Sequence, residues 1–352
     1  METGFWHALE GGRIQCDLCP RHCQLGEGQR GFCFVRAHEG GKMRLTTYGR
    51  SSGFCVDPVE KKPLNHFLPG TPILSFGTAG CNLACTFCQN WDISKARQME
   101  KIAEYASPEA IAAAAVRSGC RSVAYTYNDP VIFLEYAVDV AHACRAVGIQ
   151  SVAVTAGYIH LEPAALLFGQ MDAANIDLKS FSEDFYYRLT GGHLQPVLEL
   201  LEYLKKERSV WVELTTLLIP GENDSQAELE ALTNWVVERL GPEVPIHFSA
   251  FHPAWKMLDK PPTPTATVQR ARHIALANGV RYAYTGNVVD RAGGITHCHG
   301  CGQMVIERSG YTVNGWNLDD KGQCQHCHTA CAGRFDGPPG GWGSRRAPIR
   351  VP

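Results

Sequence analysis

Residues 73–90 read ILSFGTAGCNLACTFCQN: the apolar run Ile73–Phe76 breaks into a glycine-flanked loop that spaces Cys81, Cys85 and Cys88 as Cys-x3-Cys-x2-Cys. Similar β-branched apolar runs recur at Ser122–Tyr127, Ser151–Thr155, Ala174–Leu178, Val210–Leu218 and Pro245–Phe251. Between them lie helical patterns with clear punctuation. Ser107 is an N-cap followed by Pro108 and Glu109, and Gly119 ends that helix; Val131–Val147, Ala227–Leu240 and Thr267–Asn278 each stop at a glycine. Strands alternating with helices imply parallel strands joined by right-handed crossovers. The expected class is α/β, a partial (β/α)6 TIM-like barrel. Its active site belongs in the loops that follow the strands.

Composition divides the chain into three. Residues 1–68 are a Cys-rich N-terminal segment, 69–292 the barrel core, and 293–352 a Cys-, His- and Gly-rich C-terminal segment whose tail, GPPGGWGSRRAPIRVP, reads as poorly ordered. A net charge of −2 with scattered Lys and Arg gives no basic stripe, which argues against nucleic acid as a partner. No apolar run is long enough to cross a bilayer, and METGFWHALE lacks the pattern of a signal peptide. The expectation is a cytoplasmic protein. Its 15 cysteines, an odd number, argue against a disulfide framework. Eleven fall in three tight groups. Cys55, Cys120 and Cys144 read as small buried residues, and Cys331 as a spare ligand.

Three thiolates at the Cys81, Cys85 and Cys88 spacing can ligate three irons of a cubane and leave the fourth without a protein ligand. Such an iron can chelate the amino and carboxylate groups of S-adenosylmethionine (SAM) and pass an electron to its sulfonium, giving a 5′-deoxyadenosyl radical that abstracts hydrogen. Zinc usually takes four ligands, and this loop offers no fourth. Phe87 suits packing near the adenine, or plain packing. At the N-terminus, Cys16, Cys19, Cys23 and Cys33 can hold a second [4Fe–4S] cluster or a structural Zn²⁺. At the C-terminus, Cys298-x2-Cys301 and Cys324-x2-Cys327 form the paired knuckles of a zinc ribbon or rubredoxin-like site, with zinc the expected occupant.

The CxxxCxxC motif with an aromatic before its third cysteine resembles that of the radical SAM superfamily, and more distantly the branch of pyruvate formate-lyase activating enzymes. DPVEKKPLNHFLPG, GTAGCNLACTFCQN, YTYNDP, NIDLKSFS and LIPGENDS together resemble the AmmeMemoRadiSam-system radical SAM enzymes. The resemblance implies a loop for the SAM amino group at Thr126, Tyr127 and Asn128, although Asn-Asp-Pro is equally a sound helix start. Relatives usually carry Asn where Ala156 stands, which leaves Thr155 and Gly157 as plausible contacts. Asp177 and Lys179 resemble the Asp-x-Lys of the activating enzymes, with a barrel-end ion pair as the bland alternative. Candidate catalytic residues are Lys179, Glu213 and His252; Thr215 and His247 accompany them on the strands. The implied partners are SAM, a low-potential electron donor and a substrate that is either a small molecule or a protein. An activase that installs a radical on a partner is the neighbouring alternative, disfavoured because QNWDISKARQMEKIAEYASPEA has no ferredoxin-like cysteine run. A zinc-ribbon interaction module without catalysis is the alternative of another class.

Overall fold

The computed structural model describes residues 1–96, 104–207 and 209–351. Residues 97–103, part of the stretch read above for ferredoxin-like cysteines, lie outside them. One nine-stranded sheet organises the chain. In chain order its strands are β1 (Phe54–Pro58), β2 (Pro72–Phe76), β3 (Ser122–Tyr125), β4 (Gln150–Thr155), β5 (Ala173–Asp177), β6 (Trp211–Leu218), β7 (Ile246–Ala250), β8 (Ala283–Gly286) and β9 (Ala347–Ile349). Their spatial order is β8-β7-β6-β5-β4-β3-β2-β1-β9. From β2 to β8 every pairing is parallel, whereas β1 runs antiparallel to β2 and β9 antiparallel to β1.

The partial α/β barrel expected from the alternation is present, with one strand more. That strand, β8, has only four residues and follows Gly279, so periodicity offers little to read. The C-terminal tail departs from its composition. Far from trailing away, it crosses beneath Gly70, where Gly340 N donates to Pro69 O at 2.9 Å, and then pairs Ala347 with Val56 and Ile349 with Phe54. A Cβ on Gly70, whose φ is +75°, would meet Gly340 O at 2.1 Å. Only glycine admits that crossing. The sheet therefore draws strands from both sides of the 69–292 borders set by composition.

The helices pack on the outer face: α1 (Pro108–Arg117), α2 (Leu134–Ala146), α3 (Leu161–Phe168), α4 (Gln195–Glu207), α5 (Gln226–Trp235) and α6 (Thr265–Ala277). Ser107 and Ser225 cap α1 and α5, accepting from Ala110 N and Glu228 N. Strands covered on both faces read as continuous apolar runs, and Ile73, Leu74, Phe76, Val123 and Ala124 are indeed buried. Cys120 and Cys144 join this core.

The segment that follows β1 threads into the barrel as a strap. Asn175 Nδ2 donates to Pro63 O at 2.8 Å, and the buried Glu213 carboxylate accepts from Asn65 N at 2.9 Å and His66 N at 2.7 Å. The strap then receives the C-terminal segment: Arg334 N donates to His66 O, Arg308 Nη2 to Asn65 O, and His66 Nδ1 to Ala332 O at 2.6 Å. The His66 ring sits among Trp211, Tyr282 and Tyr284, with Tyr284 OH 2.5 Å from Nε2.

Burial holds His66 neutral by pushing its pKa down to about 4 from 6.5. The unfolded chain takes up a proton below pH 6.5 and the native state does not until about pH 4. Stability present above pH 6.5 is therefore lost as pH falls toward 4, by about 3 kcal/mol from this residue. Melting curves across that window should fall more steeply for the wild type than for His66→Phe; equal slopes would refute the assignment.

Candidate active site

The loop after β2 is built by close approaches. A Cβ on Gly77 would meet Thr126 O at 2.2 Å and Asn128 Oδ1 at 2.5 Å. Asn128 in turn accepts from Thr78 N at 3.2 Å and donates to Gly80 O at 3.1 Å, so the loop after β3 holds the cysteine loop from behind. Further along, Ala84 N and Thr86 N donate to Thr190 O and Leu189 O, and Asn82 Nδ2 donates to Tyr158 O at 2.7 Å. These bonds present Cys81, Cys85 and Cys88 to one cavity of about 590 Å³ at the C-terminal ends of the strands.

Thr126, Tyr127, Asn128, Thr155, Asp177 and Lys179 line the same cavity, as does Phe87, whose ring also packs 5.7 Å from that of Phe185. Tyr127 holds a left-handed backbone, φ +69°, and its hydroxyl donates to Asp57 Oδ2 at 3.1 Å. Asp129 serves as the cap expected of Asn-Asp-Pro and also as a tie between strand ends. It accepts from Val131 N at 3.1 Å, Thr155 Oγ1 at 2.8 Å and Ala156 N at 2.9 Å. Lys179 Nζ bonds Asp177 Oδ2 at 2.7 Å. Burial opposes its charge, yet Asp177 outweighs burial and raises its pKa.

Of the three candidate catalytic residues, Lys179 alone lines the cavity. His252 is exposed. Glu213 lies beneath the floor, where Trp211 Nε1 and His247 Nε2 also donate to it, at 3.0 and 2.7 Å. Burial would raise this carboxyl, but the His247 bond and charge outweigh it and hold the pKa at about 2. His247 is the member of this pair that faces the cavity. Sequence reasoning gave no role to Lys61, Lys62, Arg308, Tyr311 or Arg346, all of which line it too. The adjacent charges of EKK between β1 and β2 were the one available signal.

The three thiol groups differ in geometry. At the C-terminus, Cys298 and Cys327 bring their Sγ atoms to 3.5 Å and Cys301 and Cys324 to 3.8 Å. Four sulfurs around one zinc at about 2.3 Å stand about 3.8 Å apart, so this group fits a single tetrahedral ion. Among the described residues it is the one set of three or more metal-ligand side chains gathered within 4.8 Å. Cys331 stays outside it, with Sγ 3.9 Å from His66 Nδ1. The Thr329 bonds hold the Cys327 thiol well below its ordinary pKa.

Cys16, Cys19, Cys23 and Cys33 line a separate small cavity with Arg36 and Asn82. Among the described residues neither the central three nor these four gather within 4.8 Å as the C-terminal four do. Burial pushes Cys16 up to about 11 and Cys19 up to about 12, and raises Cys33, Cys81 and Cys85 as well. Such thiols stay protonated until a bound cation displaces the proton to solvent. The two loops touch: a Cβ on Gly80, φ +84°, would meet Cys33 O at 2.0 Å, and Arg21 Nε donates to Asn82 O at 2.8 Å.

The sequence pattern of the Radical SAM superfamily matches residues 76–232, from the end of β2 through most of α5. The chain belongs to the radical SAM superfamily. It is an enzyme, and its family implies a [4Fe–4S] cluster that works with SAM and a reductant. It is similar to an uncharacterized protein of Methanocaldococcus jannaschii, 39% identical over 327 residues that make up 93% of this chain and 97% of that protein. It is also similar to the GTP 3′,8-cyclase of Chlorobaculum tepidum, 26% identical over 152 residues, 42% of this chain and 45% of that enzyme. Among solved structures, a radical SAM methyltransferase from Sphaerobacter thermophilus aligns with a TM-score of 0.48 at 18% identity, covering 68% of this chain and 71% of that one. Among the described residues no helix is long and apolar enough to cross a membrane.

Gly80→Ala should push the two thiol loops apart, since neither backbone can yield 1 Å without moving its neighbour. Iron bound per chain after anaerobic reconstitution should fall by about half or more, with the C-terminal metal retained. Wild-type iron content in the variant would contradict the contact.

Proposed function

We propose that this enzyme reductively cleaves SAM at a [4Fe–4S] cluster held by Cys81, Cys85 and Cys88 and uses the product radical to abstract hydrogen from a substrate in the same cavity. The observation that carries this reading is the convergence of three thiols and the polar ends of β3, β4 and β5 on one space of about 590 Å³. The cluster would supply one electron to the SAM sulfonium, releasing methionine and a 5′-deoxyadenosyl radical. The chain's own residues bind and orient. The loop of Thr126 and Tyr127 would meet the SAM amino group, Asp177 and Lys179 the region of its carboxylate, and Phe87 would pack beside the adenine. The side chains of Asn128 and Asp129 fix the cysteine loop and the β4 end.

The C-terminal quartet suits zinc on its sulfur spacing. The N-terminal quartet, four thiols lining one small cavity and not gathered within 4.8 Å as the zinc-type site is, suits a second [4Fe–4S] cluster. Contact of Cys33 with Gly80 supports a relay role, since a cluster held by the N-terminal thiols would lie close to one held by the central three. Because all 15 cysteines are free, we place the enzyme in the reducing cytoplasm.

Anaerobically reconstituted protein should be brown and release 5′-deoxyadenosine from SAM under dithionite. The Cys81→Ala, Cys85→Ala, Cys88→Ala triple variant should lose that product entirely while keeping N-terminal iron and C-terminal zinc. Zinc alone at the central thiols of the wild type would end the proposal.

A further inference from the structure

One part of the cavity wall is strongly basic. Asp57 on β1 is fully buried, yet three cations converge on it: Lys61 Nζ at 2.9 Å, Lys62 Nζ at 2.7 Å and Arg346 Nε at 3.4 Å. Lys61, Lys62 and Arg346 line the cavity whereas Asp57 does not, so one carboxylate lies behind three positive heads. Lys62 is itself buried, with 3% of its side chain exposed, which is rare for a lysine with a surplus of like charge beside it. Burial and that crowding draw its pKa down to about 8, against the pull of Asp57.

A second buried cation reinforces the pattern. Arg308, on the antiparallel strand Met304–Ser309 of the C-terminal segment, also lines this space, and its Nε has no hydrogen-bond partner. Its carboxylate neighbour Glu60 has an unpartnered Oε2, and burial pushes the Glu60 pKa up to about 7, which thins the negative charge further. An unsatisfied buried guanidinium N–H costs free energy, and the cation it belongs to adds positive charge to this wall.

Resting on the reading that the cysteine end takes SAM, we infer that Lys61, Lys62 and Arg346 bind an anionic group of the substrate, a phosphate or a carboxylate. SAM carries a sulfonium and an ammonium against one carboxylate, so it does not itself meet this positive surplus. The three cations come from the strap and from the tail just before β9, elements outside the barrel proper. The appended segments thus select the substrate, and the strand-end loops hold the cofactor.

Isothermal titration of the reconstituted holoprotein with inorganic phosphate and, separately, with malonate tests this at low ionic strength. Saturable binding of at least one anion is expected. The tighter of the two distinguishes a phosphoryl-bearing from a carboxylate-bearing substrate. The Lys61→Gln, Arg346→Gln double variant should bind about tenfold or more weakly. Lys61→Arg, which keeps the charge, should stay within about threefold of the wild type. Arg239→Gln, on the outer surface, should match the wild type. Melting curves without anion check that the double variant is folded. Saturation by neither anion, or wild-type affinity in the double variant, overturns the inference. The titration reads binding alone: anion binding without SAM cleavage would fail the proposed function only, and SAM cleavage without anion binding would fail only this inference.

Discussion

A single buried carboxylate, Glu213, holds the interior together. It takes two backbone N–H groups from the strap, an indole N–H from its own strand and an imidazole from β7. A carboxylate this deep is tolerable only when every lone pair is met, and removing such a partner typically costs about 3–5 kcal/mol. Because Glu213 fixes Asn65 and His66, it fixes the platform on which Arg308, Ala332 and Arg334 dock. The same ion also turns His247 toward the cavity. Asp129 does the equivalent at the other end, joining the loops after β3 and β4. Both acids serve the site by holding what surrounds it.

Much of the architecture could be read in the chain because its signals are local. Parallel strands buried on both faces appear as unbroken apolar runs, and serine caps and terminal glycines bracket the helices between them. Thiol spacing carried the metal chemistry, since ligands in one loop must converge whatever the fold. Other elements were hidden for physical reasons. β8 is too short for periodicity, and β9 is three residues inside a Gly- and Pro-rich stretch whose composition reports the loop and not the strand.

Within the cavity the same division holds. Strand-end residues such as Thr126 and Asp177 are legible because a strand's end fixes where they stand. Glu213 and His247 are adjacent on neighbouring strands, yet sequence alternation does not say which lies above the floor. Lys62 looks like an ordinary solvated charge, and only the fold reveals Asp57 beneath it. Arg346 sits almost three hundred residues from that aspartate, beyond the reach of any local pattern.

That separation orders the assembly of the molecule in time. Thiol loops made from neighbouring residues close quickly, whereas the pairing of β9 with β1 must join segments separated by nearly the whole chain. Metal capture can therefore precede the completion of the basic wall. The thiol loops can thus form in a newly made chain while the basic wall of its cavity is still unbuilt.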